Sequence, residues 1–160
     1  MADFVPVMPH GDLAEVFPDI FFVTGTTRPK FGDQQWQFSR NMTVVRDGEA
    51  LTLINTVRLD DAGLSALDAL GTVANVVKIG AFHGYDDPFY LDRYKQAKRW
   101  ALPGMQHETG RATDIELVVG GDMPFSACSL FVFETSDFTV GNCRSSLRSL
   151  RSWDCVTRSP

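Results

Sequence analysis

Between residues 40 and 82 the hydrophobic pattern changes period twice, and few folds satisfy that order. Arg40-Asn41-Met42-Thr43-Val44-Val45-Arg46 reads as a strand, Asp47-Gly48 as a tight turn, and Leu51-Thr52-Leu53-Ile54-Asn55 as the returning strand. From Leu59 the spacing turns helical. Asp60-Asp61 offers an N-cap, Leu64, Leu67 and Leu70 recur with Ala66 and Ala69 on one face, and Gly71 stops the run. Val73 to Phe82 is then nearly all apolar, as a strand covered on both faces should be. Strand, helix, strand implies a right-handed crossover and a parallel pair. Joined to the hairpin, this predicts an α/β fold on a mixed parallel and antiparallel sheet.

The flanks extend that picture. Residues 1–18, punctuated by Pro6, Pro9 and Pro18, read as an irregular N-terminal arm in which His10 is solvated. Asp19-Ile20-Phe21-Phe22-Val23-Thr24-Gly25 reads as a strand. Asp87-Pro88 places an acidic cap before a proline, and Phe89, Leu91, Tyr94 and Ala97 give a short amphipathic helix. Trp100 to Leu102, Ile115 to Val119 and Ser129 to Phe133 read as three further strands. With 160 residues the chain suits one core, here assigned to residues 19–136. Residues 137–160 form an Arg/Ser-rich tail with four arginines and two aspartates, while residues 1–136 carry 11 basic and 18 acidic side chains. That change of character marks the tail as a separate ending.

Charge and composition exclude several functions. A formal charge of -5, with lysines only at 30, 78, 95 and 98, argues against a general nucleic-acid binder, which needs a basic face. No apolar run approaches the roughly 20 residues that span a bilayer, and the N-terminus lacks a signal-peptide pattern. A cytoplasmic protein without membrane partners is expected. Cys128, Cys143 and Cys155 are odd in number and widely spaced, so neither a disulfide framework nor a C-x-x-C zinc knuckle is expected.

The candidate chemistry lies in His83-Gly84-Tyr85-Asp86-Asp87-Pro88, where the apolar run delivers polar side chains into a loop. His83 and Asp87 are the candidate metal ligands, and Asp86 is the candidate to orient a water. Zinc wants about four ligands, or three plus a water. Two donors fall short, with Asp86 and His107 the nearest to complete a set. Without an ion, His83 would hydrogen-bond Asp87 and hold the turn. Ser126, Cys128 and Ser129 have no base tied to them by sequence, and Phe82, Tyr85, Phe89, Tyr90, Tyr94 and Trp100 suit core packing or a pocket beside His83.

The order of these elements resembles the first part of the metallo-β-lactamase fold, an αβ/βα sandwich, over about residues 19–135. In that family the second strand of the opening hairpin ends in a metal-site Asp, where this chain has Asn55, and the loop carries H-x-H-x-D-H. On that motif His83 takes the first histidine, Tyr85 replaces the second, Asp87 keeps the aspartate and Pro88 replaces the last histidine. The resemblance is to lactamase-like proteins with a degenerate motif. It implies a C-terminally truncated sandwich, no bound cofactor, a structural or interaction role, and association through exposed edge strands into a homo-oligomer. The alternative it leaves open is a hydrolase of an ester, amide or phosphoester using zinc, iron or manganese at a reduced His83/Asp87 site.

Overall fold

The computed structural model describes residues 4–80, 83–105, 107, 112–126 and 128–130, with the short pairs 133–134 and 148–149. Its centre is a seven-stranded mixed sheet: β1 (Ala14–Phe17), β2 (Ile20–Thr27), β5 (Phe38–Asp47), β6 (Ala50–Ile54), β7 (Thr72–Lys78), β8 (Lys98–Ala101) and β9 (Ile115–Glu116), lying side by side in that order. Strands β1, β2, β5 and β6 pair antiparallel, and β6, β7, β8 and β9 pair parallel. Between β2 and β5 stands a small hairpin of β3 (Lys30–Phe31) and β4 (Gln34–Gln35).

The hairpin expected at Asp47-Gly48 closes β5 onto β6, with Asp47 opposite Ala50 and Gly48 at φ 62. A positive φ there suits glycine and gives a two-residue loop the twist its strands need. Helix α1 (Asp61–Leu70) links β6 to the parallel β7, and the Asp60 carboxylate accepts from the Gly63 N–H at 2.8 Å, the predicted cap. Helix α2 (Asp87–Arg93) links β7 to β8.

Side-chain alternation divides the core between the two faces of the sheet. Phe21, Val23, Met42, Val44, Leu51, Leu53 and Val76 pack with Leu64 and Leu67 of α1 and Tyr90 and Leu91 of α2. Ile54, Val77, Trp100, Leu102, Leu117 and Leu130 form a second cluster. Tyr90 ties the first cluster to the β6–α1 connection, donating to the Val57 carbonyl at 2.8 Å and accepting from the Leu59 N–H.

Several expectations need correcting. The supposedly irregular arm contains β1, because Glu15 and Ala14 find ladder partners in Phe21 and Phe22. His10 is not solvated: its side chain is only 9% exposed and its Nε2 accepts from the Asp60 N–H at 2.9 Å. The strand expected over Val73 to Phe82 stops at Lys78, and residues 81 and 82 lie outside the described residues. Helix α2 ends at Arg93 rather than Ala97, the strand from Ile115 covers only two residues, and Ser129 and Leu130 are not in a strand. Phe133–Glu134 (β10) pairs with Arg148–Ser149 (β11), and the rest of the 137–160 tail lies outside the described residues.

Candidate functional site

Past the end of β7, described residues 83–86 lead into α2, and two adjacent carboxylates there lie in different surroundings. Asp86, the residue before the helix, makes no side-chain cap bond and is 3% exposed. Its Oδ2 accepts instead from the Arg40 guanidinium and from the Arg58 N–H at 2.8 Å, tying β5 and the β6–α1 connection to the loop. Asp87 turns elsewhere and takes a 2.6 Å hydrogen bond from the Thr56 hydroxyl on Oδ1. It is 1% exposed, and its Oδ2 is buried without a hydrogen-bond partner. That oxygen lies against Gly84: a Cβ there would sit 2.4 Å from it, and Gly84 has φ 74. Space and backbone conformation both select glycine at this position.

Two cations share the interior with Asp87. Lys78 is two residues beyond Val76 on β7, so alternation puts it on the sheet face that packs against α2. Arg99 pairs in register with Val76 and faces away from the Trp100 side, which brings it to that same face, diagonal to Lys78. Each is 1% exposed. Burial pushes the Asp87 carboxyl up to about 6, against the pull of the Thr56 hydrogen bond and the Arg99 and Lys78 charges, with Asp86 adding to the rise. His83 is exposed on its loop, yet enough protein surrounds the ring for desolvation, helped by Lys78, to lower its pKa. His107 is lowered to about 4, mainly by desolvation and then by Arg99 and Lys78. Its Nε2 lies 2.7 Å from the Thr113 hydroxyl and its Nδ1 is buried without a partner.

The sequence located Asp86, Asp87 and His83 at one end of the sheet, but not their partners. No hydrogen bond joins His83 to Asp87 among the described residues; Thr56 supplies the donor instead. Asn55 closes β6 in the left-handed conformation, φ 55, and its Oδ1 accepts from the Ile79 N–H at 3.3 Å, a local backbone role that Asn performs well. Thr56, Lys78, Arg99 and Arg40 went unnoticed. The one available signal was a lysine and an arginine inside apolar strands, since such charges are almost never fully buried unless compensated. Of the aromatic group, Tyr90 and Trp100 are buried core, with Tyr90 edge-on to Phe89 and stacked on Tyr94. An open groove of about 440 Å³ lies elsewhere, lined by His10, Thr24, Thr26, Gln37, Phe38 and Ser39 among others.

Among the described residues no three His, Cys, Asp or Glu side chains converge. One candidate donor, Asp86, is engaged by Arg40, and the other carboxylate shares its interior with two cations. A zinc, iron or manganese ion does not fit the described donor set, which offers no third ligand among the described residues and already contains positive charge.

No protein-family profile and no curated protein matches the chain. Solved structures do. The metallo-β-lactamase IND-7 is 16% identical, with a TM-score of 0.50, over 79% of this chain and 61% of that one. A metallo-β-lactamase from Hirschia baltica is 12% identical, with a TM-score of 0.48, over 74% and 58%. The mono-zinc form of FIM-1 from Pseudomonas aeruginosa is 14% identical, with a TM-score of 0.47, over 72% and 52%. The IND-7 likeness shows that the mixed sheet and its helices have a metallo-β-lactamase-like fold, and the chain spans between half and two thirds of the length of these structures.

Proposed function

We propose that this lactamase-like protein works without a catalytic metal, in a structural or interaction role, its loop site converted into a buried charge cluster in which Lys78 and Arg99 offset part of the cost of burying Asp87. The supporting observation is the setting of Asp87: one oxygen on Thr56, no water contact, and Lys78 and Arg99 on the facing strands. A carboxylate so held is built to stay still. In this reading Asp86 joins β5 to the loop through Arg40, and His83 is a loop residue. Metal analysis of protein purified without chelator tests the proposal. Stoichiometric zinc, iron or manganese that disappears in His83→Ala would overturn it.

A second reading is favoured by one feature, the buried Asp87 Oδ2 without a hydrogen-bond partner, four residues along the chain from an exposed His83. There His83 and Asp87 would hold an ion in a hydrolase of esters, amides or phosphoesters, with Asp86 orienting water. The Arg40 and Arg58 contacts to Asp86 weigh against it. No described helix is long and apolar enough to cross a membrane, and we place the protein in the cytoplasm. The outer edge of β1 leaves Val16 and Phe17 exposed, which supports self-association there. Sedimentation velocity over a range of concentrations should show reversible dimers, and a strict monomer refutes that part.

A further inference from the structure

We propose that Arg58 is a binding site for the C-terminal carboxylate of a peptide, and that the N-terminal arm of the chain occupies this site in place of such a ligand. Arg58 lies in the connection between β6 and α1 and is half-buried. Its guanidinium sits 4.4 Å from the centre of the Phe89 ring of α2 and 5.8 Å from that of the Phe4 ring of the arm, and the two rings meet edge-on at 5.6 Å. Among the described residues the side chain makes one hydrogen bond, from Nη1 to the Val5 carbonyl, while Nε is buried without a partner. No described carboxylate pairs with it. Asp86 takes the guanidinium of Arg40 but only the main-chain N–H of Arg58, so two guanidiniums meet one buried carboxylate here. A guanidinium between two rings, with one neutral acceptor and one N–H left over, favours a carboxylate over the carbonyl it now holds.

The arm has the outline of the ligand. Phe4 supplies the ring and Val5 the acceptor oxygen, so a peptide that ended at the position of Val5 would lay its carboxylate on Arg58, bringing a full charge and a second oxygen for the unpartnered N–H. The penultimate side chain is therefore aromatic. The last one is free to vary, because the Val5 side chain it replaces is 57% exposed. The arm is also easily lifted. Residues 6–9 make no hydrogen bond among the described residues, and the anchors come later, where His10 accepts from the Asp60 N–H and Gly11 donates to the Thr24 carbonyl. Residues 4–9 can swing away about His10 while β1 stays in the sheet.

The site uses neither His83 nor Asp87, so the metal analysis above tests a separate claim. The probes are the dipeptide acetyl-Phe-Val with a free C-terminal carboxylate and the same dipeptide as its C-terminal amide, titrated calorimetrically at pH 7.5 and fixed ionic strength into the full chain. The carboxylate probe should bind Phe4→Ala about tenfold more tightly than wild type, because the arm no longer competes with its own ring. The amide should bind about tenfold more weakly than the carboxylate, and Arg58→Met should erase that preference. In the wild-type chain the Arg58 Nε–H resonance should move with the carboxylate probe and stay with the amide, a readout that needs no variant. Equal binding of the two probes, no binding to Phe4→Ala, an intact preference in Arg58→Met or an unmoved Nε–H resonance at saturation would overturn the assignment. If Arg58→Met does not fold, Arg58→Lys keeps the charge without the fork and should weaken the carboxylate probe about fivefold; equal affinity there also refutes it.

Discussion

Replacing Asp87 by asparagine should make the protein progressively more stable than the wild type as pH rises. Burial raises the Asp87 carboxyl from an ordinary 3.8 to about 6, so the folded chain holds this proton more tightly than the unfolded chain. Below pH 3.8 both states are protonated and Asp87 costs nothing. Above pH 6 the folded state carries a desolvated carboxylate. At about 1.4 kcal/mol per pH unit that penalty is about 3 kcal/mol, and it accumulates between the two pKa values. Asparagine keeps the shape and the acceptor for Thr56 but never ionises, so its packing offset is constant with pH. The stability of Asp87→Asn minus that of wild type should therefore climb by about 3 kcal/mol from pH 3.5 to 7.5, most steeply between 4 and 6. Urea unfolding followed by the fluorescence of the buried Trp100 provides the curves. His107, lowered to about 4 beside the same cations, titrates in the same window. Repeating the pair in a His107→Asn background removes its contribution. A flat difference would show that Lys78 and Arg99 fully offset the burial of Asp87. A difference of opposite sign would show that a stronger cation, such as a bound metal ion, holds the carboxylate ionised.

Three further substitutions probe the framework around that group. Arg40→Met strands Asp86, 3% exposed, without its ion partner and should cost about 3 kcal/mol in urea unfolding at pH 7.5; a loss under 0.5 kcal/mol would refute the pairing. Thr56→Val removes the only hydrogen bond to the Asp87 carboxylate among the described residues and should cost roughly 1.5–3 kcal/mol, with Thr56→Ser recovering most of it. Gly84→Ala forces an alanine to φ 74 and a methyl into Asp87 Oδ2, so a loss of at least about 2 kcal/mol is expected by calorimetry or denaturant unfolding. Neutral behaviour would mean that the loop relaxes away from the carboxylate.

The local elements of this protein could be read from its residues because their causes are local. The Asp47-Gly48 turn, the Asp60 cap and the leucine spacing of α1 depend on neighbours within a few positions, and each stands where expected. Short pieces were harder. Ala14–Phe17 has no strong strand signal and becomes β1 because β2 offers it a ladder, while β7 ends at Lys78, short of the strand expected to Phe82.

The candidate site divides the same way. That His83 and Asp86 follow a buried strand, with Asp87 opening the next helix, was decided by the order of residues alone. Which groups meet them was not. Arg40 lies 46 positions from Asp86 and Thr56 31 from Asp87, and strand register and sheet order bring them together. Lys78 and Arg99 share a face only because β7 and β8 run parallel in one register. Electrostatic interaction depends on distance through the folded interior and on the water excluded from it, so the charge state of Asp87 is a property of the tertiary structure.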